Sequence, residues 1–197
     1  MANSKERPRF LSGIDVLISS SYRKHLEQVK QASFSLSRLG FNVYPKHDAQ
    51  PVNPGEDFIN LTGITEGISK VWIERHFLER IRQTKFIYVV ATNGYCGQSA
   101  SIETAYALAV GKPVILSESV TNFAPEVPQV IVDIIVQANL PEVPIQKLYL
   151  LKSDGVQAIN DSIALSDKQR RRLFFSVLNL MKQLKSSDGY TPLISKQ

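Results

Sequence analysis

The chain of 197 residues has a single cysteine, Cys96, and no long run of apolar residues. One cysteine excludes an internal disulfide bond and a metal site built from several cysteines. No apolar stretch approaches the ~20 residues of a membrane-spanning helix, and the first residues lack the apolar core of a signal peptide. We therefore expect a cytoplasmic protein that does not enter a membrane.

Several motifs that carry well-known chemistry are missing as well. Neither Gly-x-x-x-x-Gly-Lys-Ser/Thr nor Gly-x-Gly-x-x-Gly occurs, so neither a P-loop nor a dinucleotide fingerprint is supported. His-Glu-x-x-His and Gly-x-Ser-x-Gly are also absent. The three histidines, His25, His47 and His76, have no spacing typical of metal ligands. The sequence therefore implies no metal and no organic cofactor.

The charge is moderately basic, with 23 Lys and Arg against 18 Asp and Glu and a formal net charge of +5. Many of the basic residues lie between Lys168 and Arg172 and in the tail that follows. Proteins that bind nucleic acid tend to interleave such residues with aromatic side chains on one face, and that pattern is not visible in the sequence. We expect solvated helix faces or an oligomer contact here, with binding of a polyanion such as nucleic acid as the less favoured alternative.

Short apolar runs alternate with amphipathic stretches along most of the chain. The runs at 14–19, 41–44, 86–91 and 114–116 are typical of buried parallel strands. Amphipathic stretches at 22–39 and 71–83, and the short Ala-rich stretch that contains Glu103, predict helices between them. This alternation predicts an α/β fold of flavodoxin-like type, a parallel sheet with helices on both faces.

The rest of the chain is harder to assign. The run 130–136 is predicted to be a buried strand or helix, where β-branching favours the strand but leaves the helix open, and 146–151 is a further candidate strand. Ser166 and Gln169 have the spacing of a capping box, which predicts a final helix. We expect an α/β domain over 1–150, with a helical extension over 151–197 packed on the same domain. The long connection 46–70 has the length of a binding loop or lid.

One carboxylate, Glu103, stands in the Ala-rich helix directly after the strand 86–91 and a loop rich in Gly and Ser. Such βαβ units place reactive groups at the carboxyl ends of their strands. The dipole of the helix would favour the ionised form of a carboxylate near its first turn. An ionised carboxylate could attack, or stabilise, an oxocarbenium-like carbon. The alternative is purely structural, because acids are favoured in the first turns of helices in general.

The run from Gly97 to Val114 (Gly-x-Ser-x-Ser-Ile-Glu-x-x-Tyr-Ala-Leu-Ala-x-Gly-Lys-Pro-Val) resembles the signature of the nucleoside 2-deoxyribosyltransferase family. The likeness extends more loosely over residues 14–117. It implies a homo-oligomer that cleaves the N-glycosidic bond of a (deoxy)nucleoside or nucleotide, by base transfer or hydrolysis. Glu103 then matches the nucleophile that attacks the sugar C1′, and Tyr106 matches the aromatic residue that orients it. The residues expected to line the substrate pocket are Ser19, Ser20, Ser21, Tyr22, Arg23, Asn93, Gly94, Gly97, Ser99 and Ser101.

The sequence departs from that family at several positions. Members typically have an acidic residue in the loop before the glutamate helix, where this chain has 93–96 (Asn-Gly-Tyr-Cys). Lys85 stands where an Asp often begins the third strand, and Ala105 replaces a glycine. The missing loop acid is the residue expected to handle the leaving base. Candidate replacements in the long connection are Asp48, Asp57 and Glu66.

Two alternatives remain open. The segment 15–21 and the glutamate helix also resemble a Toll/interleukin-1-receptor domain, which implies an NAD-cleaving signalling domain acting through the same glutamate. The missing loop acid favours a non-catalytic nucleotide-sensing module instead. Arg23 and Lys24, at the start of the first helix, could bind a phosphate together with backbone N–H groups, or could be ordinary solvated cations.

Overall fold

The computed structural model describes residues 13–51, 70–151 and 165–187. The strands are β1 Val16–Ser20, β2 Val43–Tyr44, β3 Phe86–Val90, β4 Tyr95–Cys96, β5 Val114–Leu116 and β6 Asn122–Phe123. The helices are α1 Tyr22–Arg38, α2 Lys70–Ile81, α3 Gln98–Ala109, α4 Gln129–Gln137 and α5 Asp167–Ser187. Short 3₁₀ helices cover Thr92–Gly94 and Ile145–Leu150.

Four strands form the central sheet in the order β2-β1-β3-β5, and every pair is parallel. The chain passes from β1 outward to β2 and then returns across the sheet to β3. The winding direction therefore reverses between β1 and β3, which is where open α/β sheets bind ligands. A lone parallel bridge from Leu116 to Glu142 extends the β5 edge. The predicted flavodoxin-like α/β fold is confirmed.

Alternate residues of each strand face opposite sides of the sheet, so the continuous apolar strands build two cores. Leu17 and Val89 face α2, α3, α4 and α5, while Ile18 and Tyr88 face α1 and the turn Ile145–Leu150. All five residues of β1 and of β3 are buried. Helices cover both faces, which explains why these strands carry no polar alternation.

The run 130–136 lies within helix α4, so the helix is the correct alternative and the strand that β-branching favoured does not form. Ile131, Ile134 and Ile135 are buried on one side of α4. Gln129 and Asp133 lie one turn apart on its exposed side, where Gln129 Nε2 donates to Asp133 Oδ1 over 2.8 Å. Helical spacing of the polar residues outweighs the modest helix penalty of β-branched side chains.

The segment 146–151 was expected to form a strand and does not. Residues 146–150 lie in the 3₁₀ helix Ile145–Leu150, which begins after Pro144, and the buried side chains of the segment are Leu148 and Leu151. The fixed φ angle of proline suits the start of a helical turn. This turn packs on α1, where Leu148 joins the second core.

The capping box at the start of α5 is confirmed. Gln169 N donates to Ser166 Oγ over 3.3 Å, and Ser166 N donates to Gln169 Oε1 over 2.9 Å. Leu173, Val177 and Leu180 bury one face of α5 in the core that it shares with α3. Among the described residues, no helix combines the length and the apolar character needed to cross a membrane.

Candidate active site

The last two residues of β1 are buried serines that face opposite sides of the sheet. Ser20 follows Ile18 toward α1, donates its hydroxyl to Val90 O over 2.9 Å, and lies 3.3 Å from Nδ1 of His25. Ser19 follows Leu17 toward α2 and α3, and none of its surface is exposed. Of this predicted pair, only Ser19 therefore faces the helix that carries Glu103.

Glu103 is buried, with 6% of its surface exposed, on the face of α3 that lies against the sheet. Burial raises the pKa of its carboxyl well above the usual value, and the charge of Glu74 raises it further. The Ser19 hydroxyl lowers the pKa of this carboxyl, although Ser19 Oγ has no partner in full hydrogen-bond geometry among the described residues. The helix dipole was expected to favour the ionised form of Glu103, but burial and the charge of Glu74 shift the pKa of this carboxyl in the opposite direction. The helix α3 begins at Gln98, so Glu103 lies in the second turn, where the dipole has largely faded and burial prevails.

Glu74, on α2, is the site residue that the sequence reasoning missed. It is 1% exposed and close enough to Glu103 for its charge to raise the pKa of that carboxyl. A signal was present in the sequence, because Phe77 and Leu78 lie three and four residues after Glu74 and share its side of the helix. An acid on the apolar side of an amphipathic helix is unusual enough to be a candidate functional group.

Two tyrosines complete the cluster. Tyr22, the first residue of α1, donates its hydroxyl to Ile18 O over 2.7 Å. Tyr44, the last residue of β2, sets its ring edge-on against Phe77 of α2 at 5.5 Å between centroids. Burial, and then the charge of Glu103, raises the pKa of Tyr22 well above its usual value and that of Tyr44 to about 12. Both hydroxyls therefore keep their protons at neutral pH.

We call Ser19, Tyr22, Tyr44, Glu74 and Glu103 the acid site. They come from β1, α1, β2, α2 and α3 and meet at the carboxyl ends of the strands. Two buried carboxyl groups whose charges repel each other cannot both ionise cheaply, so such a pair holds a proton to a higher pH than an exposed carboxyl does. Such a pair supplies a proton donor and an anionic oxygen together.

Other predicted pocket residues hold the loops together. The carbonyl of Ser21 accepts the N–H groups of Lys24 and His25 at the start of α1. Gly97 packs against the Ser21 side chain with no room for a Cβ atom. Ser101 Oγ donates to Gly97 O over 2.9 Å within its own helix, and Ser99 is half-buried in the first turn. These contacts join the β1–α1 loop to the start of α3.

The loop after β3 has a similarly structural role. Asn93 is exposed with φ of 56°, and Gly94 is buried with φ of 68°. A Cβ atom at Gly94 would overlap Thr121, whose N–H donates to Gly94 O over 3.0 Å. The glycine is required by a left-handed turn in close contact with the segment before β6.

Tyr106, expected to orient Glu103, lies elsewhere. Its ring stacks on Phe174 of α5, with 6.2 Å between centroids and 29° between planes. Within the described ranges it makes no hydrogen bond to Glu103, and packing between α3 and α5 accounts for its burial. Tyr22 and Tyr44 are the tyrosines that the fold brings to the glutamate.

The two residues proposed to bind a phosphate, Arg23 and Lys24, lie at the start of α1. Arg23 is exposed on α1, and Lys24 Nζ lies 3.4 Å from the centroid of the Tyr95 ring. Of the candidate loop acids, Asp48 is exposed, while Asp57 and Glu66 lie outside the described residues. In the part of the chain that the structure describes, no three His, Cys, Asp or Glu side chains gather as a metal site would require. Comparisons with protein-family models, curated proteins and solved structures find no match to this chain.

Proposed function

We propose that the protein cleaves the N-glycosidic bond of a (deoxy)nucleoside or nucleotide, with Glu103 as the nucleophile and Glu74 as the proton donor. The observation that carries this proposal is the buried, electrostatically coupled pair of carboxyl groups at the carboxyl ends of the strands. Glycosidic cleavage needs one carboxylate at the anomeric carbon and one carboxylic acid at the leaving group. Glu74 takes the place of the loop acid that the sequence lacks.

The reaction starts from the protonation state with the shared proton on Glu74. The carboxylate of Glu103 attacks C1′ of the sugar, and the C1′–N bond breaks with its electron pair passing to the base. Glu74 delivers its proton to that base, which leaves as a neutral molecule and leaves a glycosyl ester on Glu103. Water or a second base then gives a proton to Glu74 and attacks C1′, which frees Glu103.

The tyrosines support this chemistry as neutral hydroxyl groups. Tyr22 is fixed by its hydrogen bond to Ile18 O and fills the β1–α1 corner of the site. Tyr44, like Tyr22, is only part-buried, whereas Glu74 is buried. We propose that the Tyr44 hydroxyl orients the Glu103 carboxylate. This is the role that the family resemblance gave to Tyr106.

The two carboxyl roles can be separated by the choice of leaving group. An ordinary purine must be protonated as it departs, whereas 7-methylguanine already carries a positive charge in the nucleoside and leaves without an acid. We expect Glu103→Ala to abolish release of both bases. Glu74→Gln should slow release of the ordinary purine by about 10²- to 10⁴-fold, the usual contribution of a general acid, and spare release of 7-methylguanine. Glu79→Gln, a change to an exposed acid on the same helix, is the matched control.

The assay is chromatography of free base after incubation with deoxynucleosides, their monophosphates and NAD. A deoxyribosyl adduct on the peptide that contains Glu103, found by mass spectrometry, would support the nucleophile directly. Undiminished release in Glu103→Ala would refute that assignment. Thermal stabilisation by these compounds with no release from any of them would favour a nucleotide sensor, and consumption of NAD alone would favour the NAD-cleaving alternative.

A further inference from the structure

A basic and aromatic surface lies where the end of α3 meets the first half of α5. Two adjoining depressions of about 400 and 380 Å³ share Ala109 and Phe174 as lining residues. We name this the basic–aromatic surface, and its members are Arg82, Lys112, Arg170, Arg171, Phe174 and Phe175. Asp167 is the one acid that lines either depression, so positive charge prevails there.

Two of the four cations are fixed by the fold. Lys112 Nζ donates to Thr84 O over 2.8 Å, and Arg170 Nη1 donates to Leu108 O at the end of α3 over 2.5 Å. Arg82 and Arg171 are exposed on either side of them. The cations therefore come from three separate parts of the chain, and their field adds over one surface.

An exposed aromatic ring stands beside this charge. Phe175 is 62% exposed, and its ring meets that of Phe174 edge-on at 6.2 Å between centroids. Full burial of a phenylalanine side chain would stabilise the protein by about 1.5–3 kcal/mol relative to leaving it in water. The sequence shows no interleaving of basic and aromatic residues, but folding creates it by carrying Arg82 and Lys112 to α5.

We propose that the basic–aromatic surface binds single-stranded nucleic acid. Cations along a groove neutralise backbone phosphates, and an exposed ring offers a stacking face to an unpaired base. A duplex hides the faces of its bases, so the exposed ring favours single strands. The site is distinct from the acid site: Lys112 lies just before β5 begins, at the amino ends of the strands, whereas Ser19 and Tyr44 lie at the carboxyl ends.

The test measures fluorescence anisotropy of labelled oligothymidylate and of a duplex, with the full chain, over a series of salt concentrations. Each phosphate contact adds about −0.7 to the slope of log K against log salt for single strands. The double variant Arg82→Glu/Arg171→Glu should therefore flatten the slope by about 1.4. Phe175→Ala should weaken binding by fivefold or more, in the range of about 1–3 kcal/mol per stacked base, while leaving the salt slope unchanged.

Lys147→Glu is the matched control for Arg82→Glu and Arg171→Glu made singly, since all three make the same change of charge and Lys147 is exposed on the opposite face of the sheet. Equal weakening by Lys147→Glu would overturn the proposal, because binding would then follow net charge alone. Tighter binding of the duplex would also overturn it. Binding to vesicles of anionic lipid through the same residues, without binding to oligothymidylate, would assign the surface to a membrane instead. Base release from nucleosides should be unaffected in all of these variants, so this proposal and the proposed glycosidic cleavage can fail separately.

Discussion

At the scale of single residues, Glu103 shows how position within a helix decides the state of a carboxyl group. A carboxyl in the first turn gains about 0.3–1 kcal/mol from the helix dipole. Glu103 lies a turn later and is buried among apolar groups and a second acid, and each of these raises its pKa. The fold therefore carries a group that is destabilising when ionised, which is common where chemistry requires a shared proton.

This leads to a prediction for Glu103→Gln. The folded protein holds the Glu103 proton to higher pH than the unfolded chain does. The free energy of unfolding of the wild type therefore falls as the pH rises from the usual carboxyl pKa to the raised pKa of the folded state. The variant lacks this loss. The free energy of unfolding of the variant relative to wild type should thus increase with pH above about 4.5, by up to about 1.4 kcal/mol per pH unit. Urea unfolding over a pH series measures it.

Glu79→Gln is the control for this titration, because Glu79 is exposed and paired with Arg75 one turn away on α2. The difference between Glu103→Gln and wild type should rise with pH more steeply than the difference between Glu79→Gln and wild type. Equal slopes for the two variants would remove the evidence that the fold raises the pKa of Glu103, and the argument for a shared proton would fail.

At the scale of elements, the sequence predicted most of the sheet and its helices, because continuous apolar runs and 3.6-residue stripes are strong signals. It failed at 130–136, where β-branching was weighted above the helical spacing of Gln129 and Asp133. It also failed to find Glu74, since the pattern of α2 was read only for its apolar residues. The acid site joins side chains from five elements, and no spacing along the chain encodes their meeting.

Gly97 joins two of these elements, and its replacement tests that contact. Its φ of −73° is open to any residue, so the cost of Gly97→Ala comes only from overlap of the new Cβ with Ser21 Oγ. We expect a loss of about 1–3 kcal/mol in the free energy of unfolding, as for other overpacked sites. In a Ser21→Ala background the overlap is absent and most of the loss should disappear, which a double-mutant cycle measures. Additive losses would place the strain elsewhere.

At the scale of the whole molecule, the fold separates two chemical environments along the strand direction. The carboxyl ends of the strands gather two buried acids, Glu74 and Glu103, and the amino ends gather cations around Phe174 and Phe175. The strands and α3 between them are buried and closely packed. The described side chains of the acid site and those of the basic–aromatic surface are therefore different, and no described side chain belongs to both.

This separation predicts that two ligands raise the melting temperature independently. A C-nucleoside, whose base is joined to the sugar through carbon and cannot be released, would occupy the acid site, and oligothymidylate would occupy the basic–aromatic surface. Each stabilises the folded state according to its own concentration and affinity. With no coupling between the sites, the free energies of stabilisation should add when both ligands are present.

Thermal unfolding with each ligand alone and with both together measures this, with Glu103→Ala and Phe175→Ala as variants that each weaken one response. Mutual displacement of the two ligands would show that they share one site, and the assignment of separate sites at the two ends of the sheet would then be wrong.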